Sequence, residues 1–496
     1  MSQNILLLYM SLYSLDVKPG ASYRTQTNEA AVRVLMAKPE TRPDRILALC
    51  SDSVRLNLTV CLPGRDGSSI TTLAYMQDHF LPKVKLTPDA LTVIEVPDSL
   101  DDQSRAQAIA QLIQQIHAGD SLYIDLSGGP RDAAMLMVTA ARILRDLQQV
   151  EVRQVLYAEL RGDQITPHDV TGLYDLYDLV SAIDEFFTTG SARGLQRYST
   201  LKETSGDFAI LLDAINQFSD HLALCQVEPL TSDLKAVRKA LKSHLSLGKN
   251  LDDLFFDLLN QRFQTEFSAL FADLKNTLPA LVDWCTRHRL YQQALTLLNE
   301  RMPDFFCEHI LLQPTQKGMD YLNAQDPNNA RPWTYPLFHF HFCQLRLMQG
   351  ENCYTADLRA SQKQNENRYT ADSQTSQNMP NSSDSGLYRV ATDDQITCYL
   401  DLLLALDEIQ LDPGLRPEIQ QAIRLYQGII QYRNQINHAS SKAQQLQLEG
   451  ILPLNTAAIE SLLTEASALL QKIAPLSPVF PEGTILRPVS ELCCVI

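Results

Sequence analysis

Along the first 160 residues the apolar positions fall into short runs rich in β-branched side chains: Ile5–Met10, Arg45–Cys50, Leu91–Val96, Ser121–Leu126 and Val150–Tyr157. Between them, Asn28–Ala37, Ile70–Phe80, Gln103–His117 and Arg131–Gln148 carry helical periodicity. Strands that are apolar along their length and alternate with helices predict a parallel sheet covered on both faces, a doubly wound α/β domain. Right-handed crossovers then bring the carboxyl ends of the strands to one edge, where ligands bind.

After residue 170 the strand signal ends. Tyr174–Phe187 reads as an amphipathic helix, and helical patterns follow at Gly206–Leu224, Ser232–Leu247, Leu251–Leu274, Pro279–Met302, Gln395–Gln410, Pro417–His438 and Thr456–Ile473. The second half is therefore expected to be all-α. Within it, residues 359–386 form a polar Ser, Gln, Asn, Asp and Thr tract with too little apolar surface to offset its ordering entropy, which predicts a disordered insertion.

Composition narrows the function classes. With 45% hydrophobic and 20% charged residues, the chain has an ordinary make-up for a packed protein, and its 496 residues suit two to four domains. The 58 acidic and 42 basic side chains give a net charge of −16, which argues against non-specific coating of nucleic acid or of an anionic membrane. Any polyanion site must be local. No apolar run approaches the ~18 residues that a membrane span needs, and ten Cys without a C-x-x-C indicate a reduced, cytoplasmic chain.

Two constellations carry chemistry. In Asp125-Leu126-Ser127-Gly128-Gly129-Pro130-Arg131 a buried strand runs into two glycines, and a proline then opens a helix. Glycines admit positive φ and close approach, proline suits the first helical position, and the free N–H groups at a helix start favour an anion. Ser127 and Arg131 would add a hydroxyl and a charge, so a nucleotide phosphate would fit; a tight packing turn is the other reading. The loop Ser11-Leu12-Tyr13-Ser14 follows the first strand at the same edge, as a second source of hydroxyls or as a plain connection.

The other constellation is Arg433-Asn434-Gln435-Ile436-Asn437-His438. Leu415, Ile419, Ile423, Tyr426 and Ile430 mark the buried stripe of the preceding helix, and Arg433 continues it, so a charge stands where the core pattern predicts an apolar residue. Arginine matches phosphate oxygens, and histidine moves protons near neutrality; with Asn434 beside them they could cleave RNA without a metal or other cofactor, leaving a 2′,3′-cyclic phosphate. One Arg and one His make half an acid–base pair, which a homodimer would complete. The loose spacing recurs at Arg161…His168 and Arg238…His244, but only Arg433 has an amide beside it and a core helix before it. The alternating His of Phe338-His339-Phe340-His341-Phe342 fit aromatic packing better than a metal site.

The first strand with its hydroxyl loop and the later D-x-S-G-G-x-R resemble the CARF domain of CRISPR-associated proteins, and Arg-Asn-x-x-x-His resembles the HEPN ribonuclease motif. Together, in this order, they resemble ribonucleases of the Csm6/Csx1 type. The resemblance implies a Rossmann-like sensing domain at 1–180, a helical linker at 181–205 and a HEPN-like effector at 206–496. It implies Ser11, Ser127, Gly128, Gly129 and Arg131 as ligands of cyclic oligoadenylate, an allosteric activator, and Arg433, Asn434 and His438 as the catalytic set acting on single-stranded RNA in antiviral defence. Two alternatives remain: a non-catalytic nucleotide-sensing dimer, and an enzyme that also degrades its activator.

Overall fold

The central strands of the N-terminal sheet form because their side chains are apolar on both faces and must leave water on both. The computed structural model describes residues 2–12, 26–61, 69–161, 164–202, 204, 206–243, 251–274, 276–309, 311–325, 334, 337–342, 390–438 and 452–476. The polar tract 359–386 lies outside the described residues. By compactness the chain divides into Met1–Val180 and Ser181–Ile496.

In the first unit, β1 (Asn4–Tyr9), α1 (Asn28–Met36), β2 (Arg45–Cys50), β3 (Leu91–Glu95), α2 (Asp102–Gln115), β4 (Ser121–Asp125), α3 (Arg131–Gln148), β5 (Glu151–Arg161) and β6 (Gln164–Asp169) follow in chain order, and α4 (Thr171–Thr189) runs across the division. The sheet order is β3-β2-β1-β4-β5-β6, parallel except for the antiparallel β5–β6 pair. Alternation along β1 assigns Ile5, Leu7 and Tyr9 to a core shared with α2 and α3, and Leu6, Leu8 and Met10 to a second core shared with α1. The sheet is covered on both faces, as the apolar runs predict. Arg142 and Arg145 of α3 both pair with Asp178, which fixes α4 against α3.

Several expectations need correction. The edge strand β6, Gln-Ile-Thr-Pro-His-Asp, is largely polar and carries a proline, so the apolar criterion missed it. Ile70–Phe80 is no continuous helix: Ser69–Thr71 pairs with Leu58–Cys61, Thr72–Tyr75 is helical, and a π-turn spans Met76–Phe80. The expected helix Pro279–Met302 is two, broken at His288–Leu290, where Arg289 takes φ +58°. The second unit is not wholly helical, because Leu312–Pro314 pairs antiparallel with Ile409–Leu411.

Its helices are α5 (Arg193–Lys202), α6 (Gly206–Ala223), α7 (Leu230–Ser243), α8 (Leu251–Glu266), α9 (Ser268–Ala272), α10 (Leu278–Arg287), α11 (Tyr291–Glu308), α12 (Gln316–Gln325), α13 (Asp393–Ala405), α14 (Arg416–His438) and α15 (Thr456–Ile473). The span Leu251–Leu274 thus splits into α8 and α9 at Phe267. Trp284 is fully buried, with the rings of Phe218 and Phe267 at 5.8 and 5.6 Å. Helix α14 packs against α11, α13 and α15. Among the described residues no helix is long and apolar enough to cross a membrane.

Candidate functional sites

The strand order reverses between β1 and β4, each strand's connection leaving to opposite sides, and in open α/β sheets this is where a crevice opens at the carboxyl ends. The register Leu8↔Asp125 carries Ser11 and Ser127 to the same level of that edge. The structure therefore brings together the two loops singled out in the sequence, as far as Leu12; Tyr13 and Ser14 lie outside the described residues.

A polar network joins them. Asn28, buried at the start of α1, donates through Nδ2 to Asp125 Oδ2 at 2.7 Å and to Tyr9 O at 3.2 Å. Its Oδ1 accepts from Ser11 N at 2.8 Å and Ser11 Oγ at 2.9 Å. Thr27 Oγ1 donates to Ser11 Oγ at 2.7 Å, and Gln26 Nε2 to Ser11 O at 2.6 Å. Ser127 donates its N–H to Asp125 Oδ1 at 3.0 Å and its hydroxyl to the same oxygen, while accepting from Ala158 N at 2.7 Å. Asp125 is fully buried, and desolvation outweighs these hydrogen bonds, raising its pKa to about 6.

The hydroxyls of Ser11 and Ser127 are thus engaged in holding the edge together. Gly128 has a packing reason of its own, since a Cβ there would lie 1.9 Å from Tyr9 O and 2.9 Å from Ser11 N. Gly129 takes φ +84° over the Tyr9 ring. The free anion-attracting groups lie one step further on: Pro130, the N-cap of α3, offers no side-chain cap, and exposed Arg131 has no ion-pair partner among the described residues. Asp132, beside it, is held by Arg105 at 2.8 Å, which keeps its carboxyl below the usual range. Sequence reasoning missed Asn28, Thr27 and Gln26; three consecutive polar residues at a predicted helix start were the available signal.

In the second unit, the continuing stripe of α14 does carry Arg433 towards α11. Its guanidinium lies 3.7 Å from Glu300 with the side chain 32% exposed, and its Nε is buried without a hydrogen bond to any described residue. One turn on, Gln292 Nε2 donates to Asn437 Oδ1 at 3.2 Å. Asn434 is half-buried, and its side chain has no hydrogen-bond partner among the described residues. His438 closes the helix, and its side chain lies outside the described residues.

A row of glutamines at four-residue spacing also went unnoticed in the sequence. Gln427 accepts from Ala391 N and donates to Phe342 O, both at 2.8 Å, and Gln431 accepts from Leu452 N at 2.8 Å. Gln435, 5% exposed, has neither amide atom hydrogen-bonded among the described residues. Buried unsatisfied polar atoms each cost ~1–3 kcal/mol, and two such groups sit in the turn that carries the Arg-Asn motif.

No protein-family model matches the sequence, and no curated protein does. Among solved structures, one of Enterococcus italicus Csm6 bound to cyclic hexa-2′-fluoro-hexa-dAMP is similar over 96% of this chain and 95% of that chain, with 9% sequence identity and a TM-score of 0.39.

Proposed function

We propose that the chain is a nucleotide-controlled ribonuclease of type III CRISPR defence. Cyclic oligoadenylate, bound at the carboxyl edge of the sheet in a homodimer, switches on metal-independent cleavage of single-stranded RNA by Arg433, Asn434 and His438. The observation that carries the reading is the meeting of the loops after β1 and β4 at the strand-order reversal, beside a helix start without a side-chain cap that opens with Arg131, which has no ion-pair partner among the described residues. Because Ser11 and Ser127 spend their hydroxyls on Asn28, Asp125 and Ala158, they shape the crevice, and the phosphate falls to the α3 start.

In the helical unit, the 2′-oxygen of RNA attacks the adjacent phosphorus while histidine takes its proton. The bond from phosphorus to the 5′-oxygen breaks as that oxygen gains a proton from a second His438 supplied by the other copy. Arg433 balances the charge that builds on the phosphorane, and Asn434 orients the phosphate. The products are a 2′,3′-cyclic phosphate and a 5′-hydroxyl.

One observation favours a second reading. The Arg433–Glu300 pair and the Gln292–Asn437 hydrogen bond fasten α14 to α11, which is what a non-catalytic sensing dimer would ask of these residues. Mapping the ends of RNA incubated with protein, activator and excess EDTA separates the two. Cyclic-phosphate ends that vanish in Arg433→Ala support the nuclease; intact RNA supports the sensor.

A further inference from the structure

The charge of this chain is distributed unevenly. Several described cations face a carboxylate, among them Arg55, Arg105, Arg145, Arg287, Arg416 and Lys472. Helix α7 instead gathers several cations on one face. Lys235, Arg238, Lys239 and Lys242 stand at i, i+3, i+4 and i+7, so they share one face and cover two turns, ~10 Å of axis. None has an ion-pair partner among the described residues. The opposite face, Leu234, Val237 and Leu241, is buried against α6 and α9, which fixes the direction the cations point. The helix's one carboxylate, Asp233, is buried and held by His221 Nδ1 at 2.7 Å, turned from the basic face. The four cations line an open hollow of about 540 Å³ with Ser243 and Leu274.

Four cations clustered on one face, with no ion-pair partner among the described residues, repel one another, and an external anion would remove that cost. We infer that this face of α7 is a docking track for the phosphate backbone of single-stranded RNA, holding a strand by charge and without base readout. The inference rests on the ribonuclease reading for its choice of RNA. It assigns the track to a helix that packs on α6 and α9, whereas Arg433 lies on α14 against α11, α13 and α15.

The test is fluorescence anisotropy with a labelled 20-nucleotide 2′-O-methyl oligouridylate, which has no free 2′-hydroxyl and stays intact whether or not the protein is a nuclease. It compares the full chain with Lys235→Gln/Arg238→Gln/Lys239→Gln/Lys242→Gln between 50 and 200 mM salt. Four phosphate contacts at ~0.7 each set a salt slope contribution of ~2.8, which is about a 50-fold change over that range. The slope should fall by about that amount in the variant, with its thermal unfolding unchanged, and should persist in Arg433→Ala. Equal affinity and slope in the variant, no binding by the unaltered chain, or equal competition by a polyaspartate peptide would each overturn the inference, the last in favour of an acidic protein partner. Failure of the ribonuclease reading would appear separately, as intact unmodified RNA in the cleavage assay.

Discussion

Gly128→Ala tests whether the two loops at the sheet edge are one mechanical unit. The new Cβ would lie 1.9 Å from Tyr9 O, where such contacts stay above 3.0 Å, so the turn must retreat from β1 by 3.0 − 1.9 = 1.1 Å. Both nearest atoms, Tyr9 O at the end of β1 and Ser11 N just beyond it, are backbone and have no rotamer to yield. A retreat of that size stretches the Asn28–Asp125 and Thr27–Ser127 hydrogen bonds, which tie α1 to the β4 side, beyond useful length. At ~1 kcal/mol net for each, plus ~1–3 kcal/mol for overpacking, the loss is about 3–5 kcal/mol. For a unit of this size that is a drop of roughly 10 °C or more in unfolding temperature. Thermal unfolding of the full chain, with hydrogen exchange read on peptides covering 2–12 and 121–131, measures it. A shift under 2 °C with unchanged exchange would refute the coupling of the loops and leave Gly128 free to serve a ligand alone.

Three further outcomes follow from the same geometry. Asp125 has a folded pKa of about 6 against an ordinary 3.8, so its contribution to stability is complete below about 3.8 and is lost as pH rises through about 6. That difference amounts to ~3 kcal/mol, and denaturation between pH 4 and 7 should show a slope that Asp125→Asn flattens. Asp98 and Asp132, whose hydrogen bonds hold them below their usual range, act in the opposite sense and only at lower pH. Trp284→Ala, which empties the centre of the Phe218–Phe267 cluster, should cost ~3–5 kcal/mol in chemical denaturation while leaving nucleotide binding to the first unit intact. Arg433→Lys keeps the charge but loses the planar fork, so RNA cleavage should fall at least tenfold with an unchanged melting temperature.

How much of this was legible in the sequence depended on where each element's partners lie. The central strands β1, β2 and β4 were readable because burial on both faces leaves a continuous signal, and α3 and α15 because their apolar periodicity runs unbroken. The β6 edge was not, being polar and held by its pairing with β5. The break at His288–Leu290 contains neither glycine nor proline, so periodicity ran through it, and Arg289 bears the positive φ instead. The pairing of Leu312–Pro314 with Ile409–Leu411 joins segments almost a hundred residues apart. At the candidate site the residue types were visible, but their employment was not: that Ser127 is spent on Asp125 and Ala158, and Ser11 on Asn28, depends on partners from other elements.

The central claim is that nucleotide binding in one unit controls chemistry in the other, which requires the ligand to favour the cleavage-competent state. The most direct test is cleavage of an end-labelled single-stranded RNA at saturating protein, with and without cyclic tetra- or hexa-adenylate, in the unaltered chain and in His438→Ala. The account predicts cleavage that depends on one of the two rings and disappears in His438→Ala. Cleavage that proceeds equally without activator, or survives intact in His438→Ala, would contradict it.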